Sequence, residues 1–133
     1  MIAVDTNVVV RLLTQDDAAQ YQRSIKLFQT EDTIFIPTTV VLETAWVLRS
    51  LYGFEPVAIC TALRKVLGLP NVWVNQGNQI ALALQWHETG LDFADALHLA
   101  QSQTCEALYT FDQRFVKRVA GLEQCDVRAV LPE

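Results

Sequence analysis

Four acidic residues stand at or just beyond the ends of short apolar runs. Asp5 follows Ile2-Ala3-Val4, and Asp112 lies just beyond Ala107-Leu108-Tyr109. Glu43 sits one turn into the helix expected after Thr33-Ile34-Phe35-Ile36, and Asp95 lies in Leu91-Asp92-Phe93-Ala94-Asp95-Ala96-Leu97-His98-Leu99-Ala100. Carboxylates gathered in one place repel one another unless a cation sits among them. Their hard oxygen donors suit Mg²⁺ or Mn²⁺. Such ions position an attacking water and stabilise the leaving oxygen of an in-line displacement, so the chemistry indicated is cleavage of a phosphodiester. No other catalytic set competes: the chain has no G-x-S-x-G, no Walker loop and no G-x-G-x-x-G.

Each acid taken singly has a plain structural explanation. Asp5 can cap the helix after it. Glu43 lies in a helix that reads as apolar almost all round, which predicts a partly buried carboxylate, held either by a metal or by an ion pair to Arg11. A capping box from Thr39 would place its acid at position 42, which is Leu42. Asp92 reads as an N-cap with Asp95 at N3, so Asp95 is the better ligand and Asp92 an additional one at most. Asp112 can also cap a helix. Thr110 precedes it with a hydroxyl, and Arg114, Lys117 and Arg118 follow at helical spacing. Arg114 is the candidate phosphate contact, with Lys117 and Arg118 on a solvated face. His98 is expected in the core and His87 on a helix surface.

The elements that must position these acids alternate. Strands are expected at 2–4, 33–36, 72–74, 107–109 and 127–130. Helices are expected at 8–13, from Asp16 or Asp17 to about 29, from Thr38 or Thr39 to about 52, 55–67, 77–88, 92–103 and 112–119. Gly53, Gly68 and Gly90 mark helix ends. The alternation predicts α/β architecture, a mostly parallel sheet of four or five strands with helices on both faces. Ligands of such sheets lie at the carboxyl ends of the strands, which is where the acids fall.

The 133 residues suit a single domain over 1–133. A hydrophobic fraction of 51% excludes a disordered chain. The formal charge of −5 excludes binding to nucleic acid through a broadly basic surface, so any such attraction must be local. The three cysteines, Cys60, Cys105 and Cys125, form no C-x-x-C pair and read as reduced, buried thiols of a cytoplasmic protein. No signal peptide is expected, and the longest apolar run is far below the ~18 residues of a membrane span.

In that order, Ile2-Ala3-Val4-Asp5-Thr6-Asn7, Val41-Leu42-Glu43, Phe93-Ala94-Asp95-Ala96-Leu97 and Thr110-Phe111-Asp112-Gln113-Arg114-Phe115 resemble the PIN-domain family. Order and length are similar to the VapC-type toxins of bacterial toxin–antitoxin pairs. The resemblance covers nearly the whole chain. It implies a PIN-like three-layer sandwich and a Mg²⁺- or Mn²⁺-dependent endoribonuclease. It also implies Asp5, Glu43, Asp95 and Asp112 as the acidic quartet, with Thr6, Asn7 and Thr110 supporting it. Its further implications are a homodimer and a cognate antitoxin, for which the helix carrying Trp46, Leu48, Leu51, Tyr52 and Phe54 is the candidate contact. The alternatives are a PIN-fold RNA-processing nuclease outside toxin pairs, a phospho-accepting receiver domain, and a non-catalytic RNA-binding module.

Overall fold

Parallel strands cannot be joined by a tight turn, so each parallel pair here is separated by helix. The computed structural model of the chain describes residues 1–122 and 125–132. Its backbone contacts divide into two units, Met1–Gln76 and Gly77–Glu133.

The first unit runs β1 (Ile2–Ala3), α1 (Thr6–Thr14), α2 (Ala18–Thr30), β2 (Ile34–Phe35), α3 (Thr38–Ser50), α4 (Pro56–Leu67) and β3 (Val72–Trp73). The strands pair in parallel in the order β1-β2-β3, with Ile2 opposite Ile34 and Ile34 opposite Val72. Two-residue strands give little ladder, but further bonds extend it: Val4 N–H donates to Phe35 O at 3.3 Å and Ile36 N–H to Trp73 O at 2.9 Å. Ile34, Ile36, Val10, Val41, Leu48 and Leu63 are fully buried around this sheet.

The second unit runs α5 (Gly77–Glu88), α6 (Phe93–Gln101), β4 (Ala107–Thr110), α7 (Gln113–Val119) and β5 (Asp126–Ala129). Helix α5 packs mainly on α6, and β4 and β5 are parallel partners connected through α7. Ala83, Leu84, Ala96, Leu99, Phe115 and Val119 are buried there. The described strands thus form a three-stranded and a two-stranded sheet, where the sequence suggested one of four or five.

Several local expectations shift for identifiable reasons. Helix α1 begins at Thr6, two residues earlier than its apolar pattern suggested, because Thr6 is itself buried. Helix α3 takes Pro37, not Thr38 or Thr39, at its N-cap, without a side-chain cap bond. Asp17, and not Asp16, caps α2 by accepting from Gln20 N–H at 3.0 Å. Gly53 follows the turn beyond α3 at φ +68°, and Gly90 follows α5 at φ +114°, conformations that a Cβ disfavours. His87 is buried instead of exposed. Its Nδ1–H donates to the Leu91 carbonyl at 2.7 Å, and its ring meets Phe93 edge-on with centroids 5.6 Å apart. His98 is exposed instead of packed, because the buried positions of α6 are Phe93, Ala96, Leu97, Leu99 and Ala100. Cys60 is buried as expected, whereas Cys105 is exposed and Cys125 half-buried beside β4 and β5. Among the described residues no helix is long and apolar enough to cross a membrane.

One side chain secures the end of α2. Asn71, just before β3, donates from Nδ2 to Phe28 O at 2.8 Å and to Glu31 O at 3.0 Å. Removing it leaves part-buried carbonyls unpaired, so Asn71→Ala is expected to cost about 1–3 kcal/mol in urea denaturation. Asn71→Asp should cost more at neutral pH, where an ionised acceptor faces those carbonyls, and should recover as acid protonates it. Equal losses at all pH values would show that the amide bonds do not matter.

Candidate active site

The first unit presents Asp5 and Glu43. Asp5 ends the β1 segment and occupies the N-cap of α1 in extended conformation (φ −95°, ψ −178°). Its carboxylate makes no side-chain cap bond there, so capping does not account for it. Thr6 is buried, and its hydroxyl donates to Glu43 Oε1 at 2.5 Å. Thirty-seven positions separate the two residues, and the packing of α1 on α3 brings them together. Asn7 is exposed in the first turn of α1.

Glu43 corrects the sequence reading. Its helix buries one stripe, Val40, Val41, Thr44, Ala45 and Leu48, and Glu43 stands outside it on the exposed face with Trp46. The helix reads as apolar all round only because Trp46, 61% exposed, adds a large apolar residue to the outer side. The alternative ion pair to Arg11 is absent too: Arg11 pairs with Asp16 at 3.2 Å.

The second unit presents Asp92, Asp95 and Asp112. Asp92 caps α6, its Oδ2 accepting from Asp95 N–H at 3.1 Å. Asp95 lies in the first helical turn, where the helix dipole favours a negative charge. Burial nevertheless pushes its carboxyl above the usual range, the charges of Asp92 and then Asp112 push the same way, and His98 opposes them. Asp112 caps α7, its Oδ1 accepting from Arg114 N–H at 2.9 Å and from Phe115 N–H at 3.2 Å. Thr110 does not bond that carboxylate; its hydroxyl accepts from Asp112 N–H at 3.0 Å and so shapes the turn that presents it. Arg114 is exposed at the start of α7.

Among the described residues none of Asp5, Glu43, Asp95 and Asp112 forms an ion pair with Lys, Arg or His. Nor does any group of three or more His, Cys, Asp or Glu side chains among them stand ready to hold a metal ion. Magnesium does not require such a cage. It commonly binds through one or two carboxylates and completes its shell with water and substrate phosphate. Asp95 lies near enough to Asp92 and Asp112 to feel their charges, and carboxylates with oxygen as the only donor type suit that ion. The link from Thr6 to Glu43 had no local signature, since neither its span nor its partner shows in the surrounding sequence.

The PIN domain family matches residues 2–122. The chain belongs to the PIN domain family. The receiver-domain alternative ends there. Among solved structures, this PIN domain is similar to Mycobacterium tuberculosis VapC20, described as a sarcin-ricin loop cleaving toxin, with 22% identity over 91% of this chain and 95% of that one and a TM-score of 0.46. Among curated proteins there is no significant match.

The raised Asp95 carboxyl has a consequence for stability. A carboxyl whose pKa is higher in the folded than in the unfolded state favours folding while protonated, and that advantage is lost as pH rises through the folded value. Asp95→Asn is therefore expected to raise the urea midpoint at neutral pH relative to its effect in acid, measured with a chelator present. A mutational effect that does not vary with pH would show that Asp95 ionises in the fold without penalty.

Proposed function

We propose that this PIN domain is a divalent-metal-dependent endoribonuclease and the toxin of a VapBC-type toxin–antitoxin pair. The observation that carries the reading is the set of four carboxylates without a cationic partner among the described residues, placed in motifs that follow the VapC-type order. Asp5 and Glu43 in the first unit, and Asp95 and Asp112 in the second, are the proposed Mg²⁺- or Mn²⁺-binding and catalytic acids. When bound, the ion supplies the positive charge that offsets negative charge developing on the scissile phosphate.

The chain's own residues prepare this chemistry. Thr6 fixes one oxygen of Glu43 and leaves the other to act. Asp112 is oriented by the two backbone N–H groups of its own cap, on a turn that Thr110 shapes. Asp92 spends one oxygen on the α6 cap, which leaves it a lesser role. Arg114, exposed in the first turn of α7, offers a guanidinium fork to a phosphate oxygen.

The same reading includes a cytoplasmic homodimer with RNA as substrate and a cognate antitoxin as partner. The candidate antitoxin contact changes in detail. Trp46 and Leu51 are 61% and 70% exposed and can meet a partner, whereas Leu48 is fully buried in the core. Tyr52 is engaged in the fold, donating from its hydroxyl to Asp16 at 2.6 Å.

Purified protein should cleave RNA with Mg²⁺ or Mn²⁺ and lose that activity in chelator. Asp5→Asn should fall to background cleavage and arrest no growth when expressed, with its thermal unfolding preserved. Metal-dependent cleavage by Asp5→Asn would overturn the assignment. Thr6→Val should fold normally and lose about 10–100-fold in activity, because orienting partners of metal-binding carboxylates typically matter by that factor. Thr6→Ser should retain activity.

A further inference from the structure

We propose that the cleft between α1 and α2 is an RNA-backbone subsite beside Asp5, with Arg23 as its phosphate-gripping side chain. The inference rests on the ribonuclease reading above and names where that substrate is held. The chain carries a formal charge of −5, so an RNA strand needs a local source of attraction. The cleft has a volume of about 320 Å³ and presents Asn7, Arg11, Gln20 and Arg23 above an apolar floor of Val8 and Leu27. No acid lines it. Gln20, Arg23 and Leu27 are spaced along one face of α2, and Asn7 and Arg11 stand one turn apart on α1. The two helices therefore present polar donors toward a common space.

The two arginines differ in what they can still do. Arg11 is already committed: its Nε donates to Gln20 Oε1 at 2.7 Å, and its Nη1 donates to Asp16 Oδ1 and to the Tyr52 hydroxyl, each at 3.2 Å. Tyr52 and Thr14 also donate to Asp16, and these bonds hold that carboxyl below its usual range, so Arg11 faces an ionised partner that offsets its charge. The result is a braced guanidinium wall whose Nη2 remains for a ligand. Gln20, fixed through its carbonyl oxygen, keeps its amide N–H groups as donors. Arg23 is exposed and makes no ion pair or side-chain hydrogen bond with any described residue. It supplies the positive charge of the cleft that no acid offsets.

Position selects the ligand. Asn7, at one end of the cleft, lies two residues from Asp5. A phosphodiester strand gripped by Arg23 thus continues toward the carboxylate assigned to its cleavage, while Val8 and Leu27 offer apolar surface to ribose or base. An acidic peptide is the competing occupant, and the test separates the two.

Binding of a labelled single-stranded oligoribonucleotide is measured across a salt series, on an Asp5→Asn background so that the strand stays intact. Arg23→Ala should weaken binding about tenfold. It should also lower the slope of log affinity against log salt by about 0.7, the value for one lost phosphate contact on a single strand. Arg23→Lys should keep the slope and lose only part of the affinity, which guards against a folding defect in the alanine variant. Lys26→Ala, on α2 but outside the cleft lining, should change neither quantity. An unchanged slope in Arg23→Ala overturns the subsite, as does loss of binding to a poly-glutamate peptide with RNA affinity intact. If the unmutated chain cleaves RNA while Arg23→Ala binds it normally, the subsite alone fails. If the unmutated chain neither binds nor cleaves RNA, the ribonuclease reading fails with it.

Discussion

Carboxylates that form no ion pair with Lys, Arg or His among the described residues are the constraint around which this chain is built. Three of the four acids stand at helix N-termini: Asp5 before α1, Asp95 in the first turn of α6 and Asp112 before α7. The unpaired N–H groups and partial positive charge of a helix start lower the cost of a negative group there. Asp112 shows it directly, with two backbone N–H groups on one oxygen. Asp95 shows where this support runs short, because burial and two neighbouring carboxylates still push its pKa up. A carboxylate in that condition gains from a hard cation supplied from outside, in keeping with the proposed metal dependence.

Glu43 lies mid-helix and receives no such help. Thr6 replaces it with a single hydroxyl bond from a buried position on another helix. That bond depends on the α1–α3 packing, and so on Val9, Val10, Val41 and Leu48 filling the space between helices and sheet. Packing and chemistry are therefore coupled in the first unit: a core change that shifts α1 against α3 also releases Glu43. The second unit places its acids through local backbone bonds within two caps, which makes their positions less dependent on distant packing.

The charge distribution follows the same economy. On the proposed reading an acidic chain that binds RNA needs few but well-placed cations, and most of its arginines are already used within the fold. Arg11 braces α1 against Asp16 and Tyr52, and Arg128 lies against Asp126 and Glu106 on the second unit. Arg23 and Arg114 stand exposed, one on each unit. Guanidinium groups with no internal partner are the ones a phosphate can recruit.

The sequence by itself determined the element order and the parallel sense of the strands, but not their division into a three-stranded and a two-stranded sheet, because strand length, helix period and cap chemistry act over a few neighbouring positions. Gly53, Gly90, Pro56 and the α5 boundaries were legible for that reason. Which face each side chain takes was not. Glu43 was expected half-buried and is exposed, His87 was expected outside and is inside, and His98 is the reverse. These outcomes depend on which stripe of a helix meets a neighbour, and periodicity near a mixed face leaves more than one stripe open. Tertiary structure alone decided the Thr6–Glu43 bond, the Asn71 clasp on α2 and the α1–α2 cleft, since each joins side chains from separate segments whose meeting is fixed by packing and not by spacing along the chain.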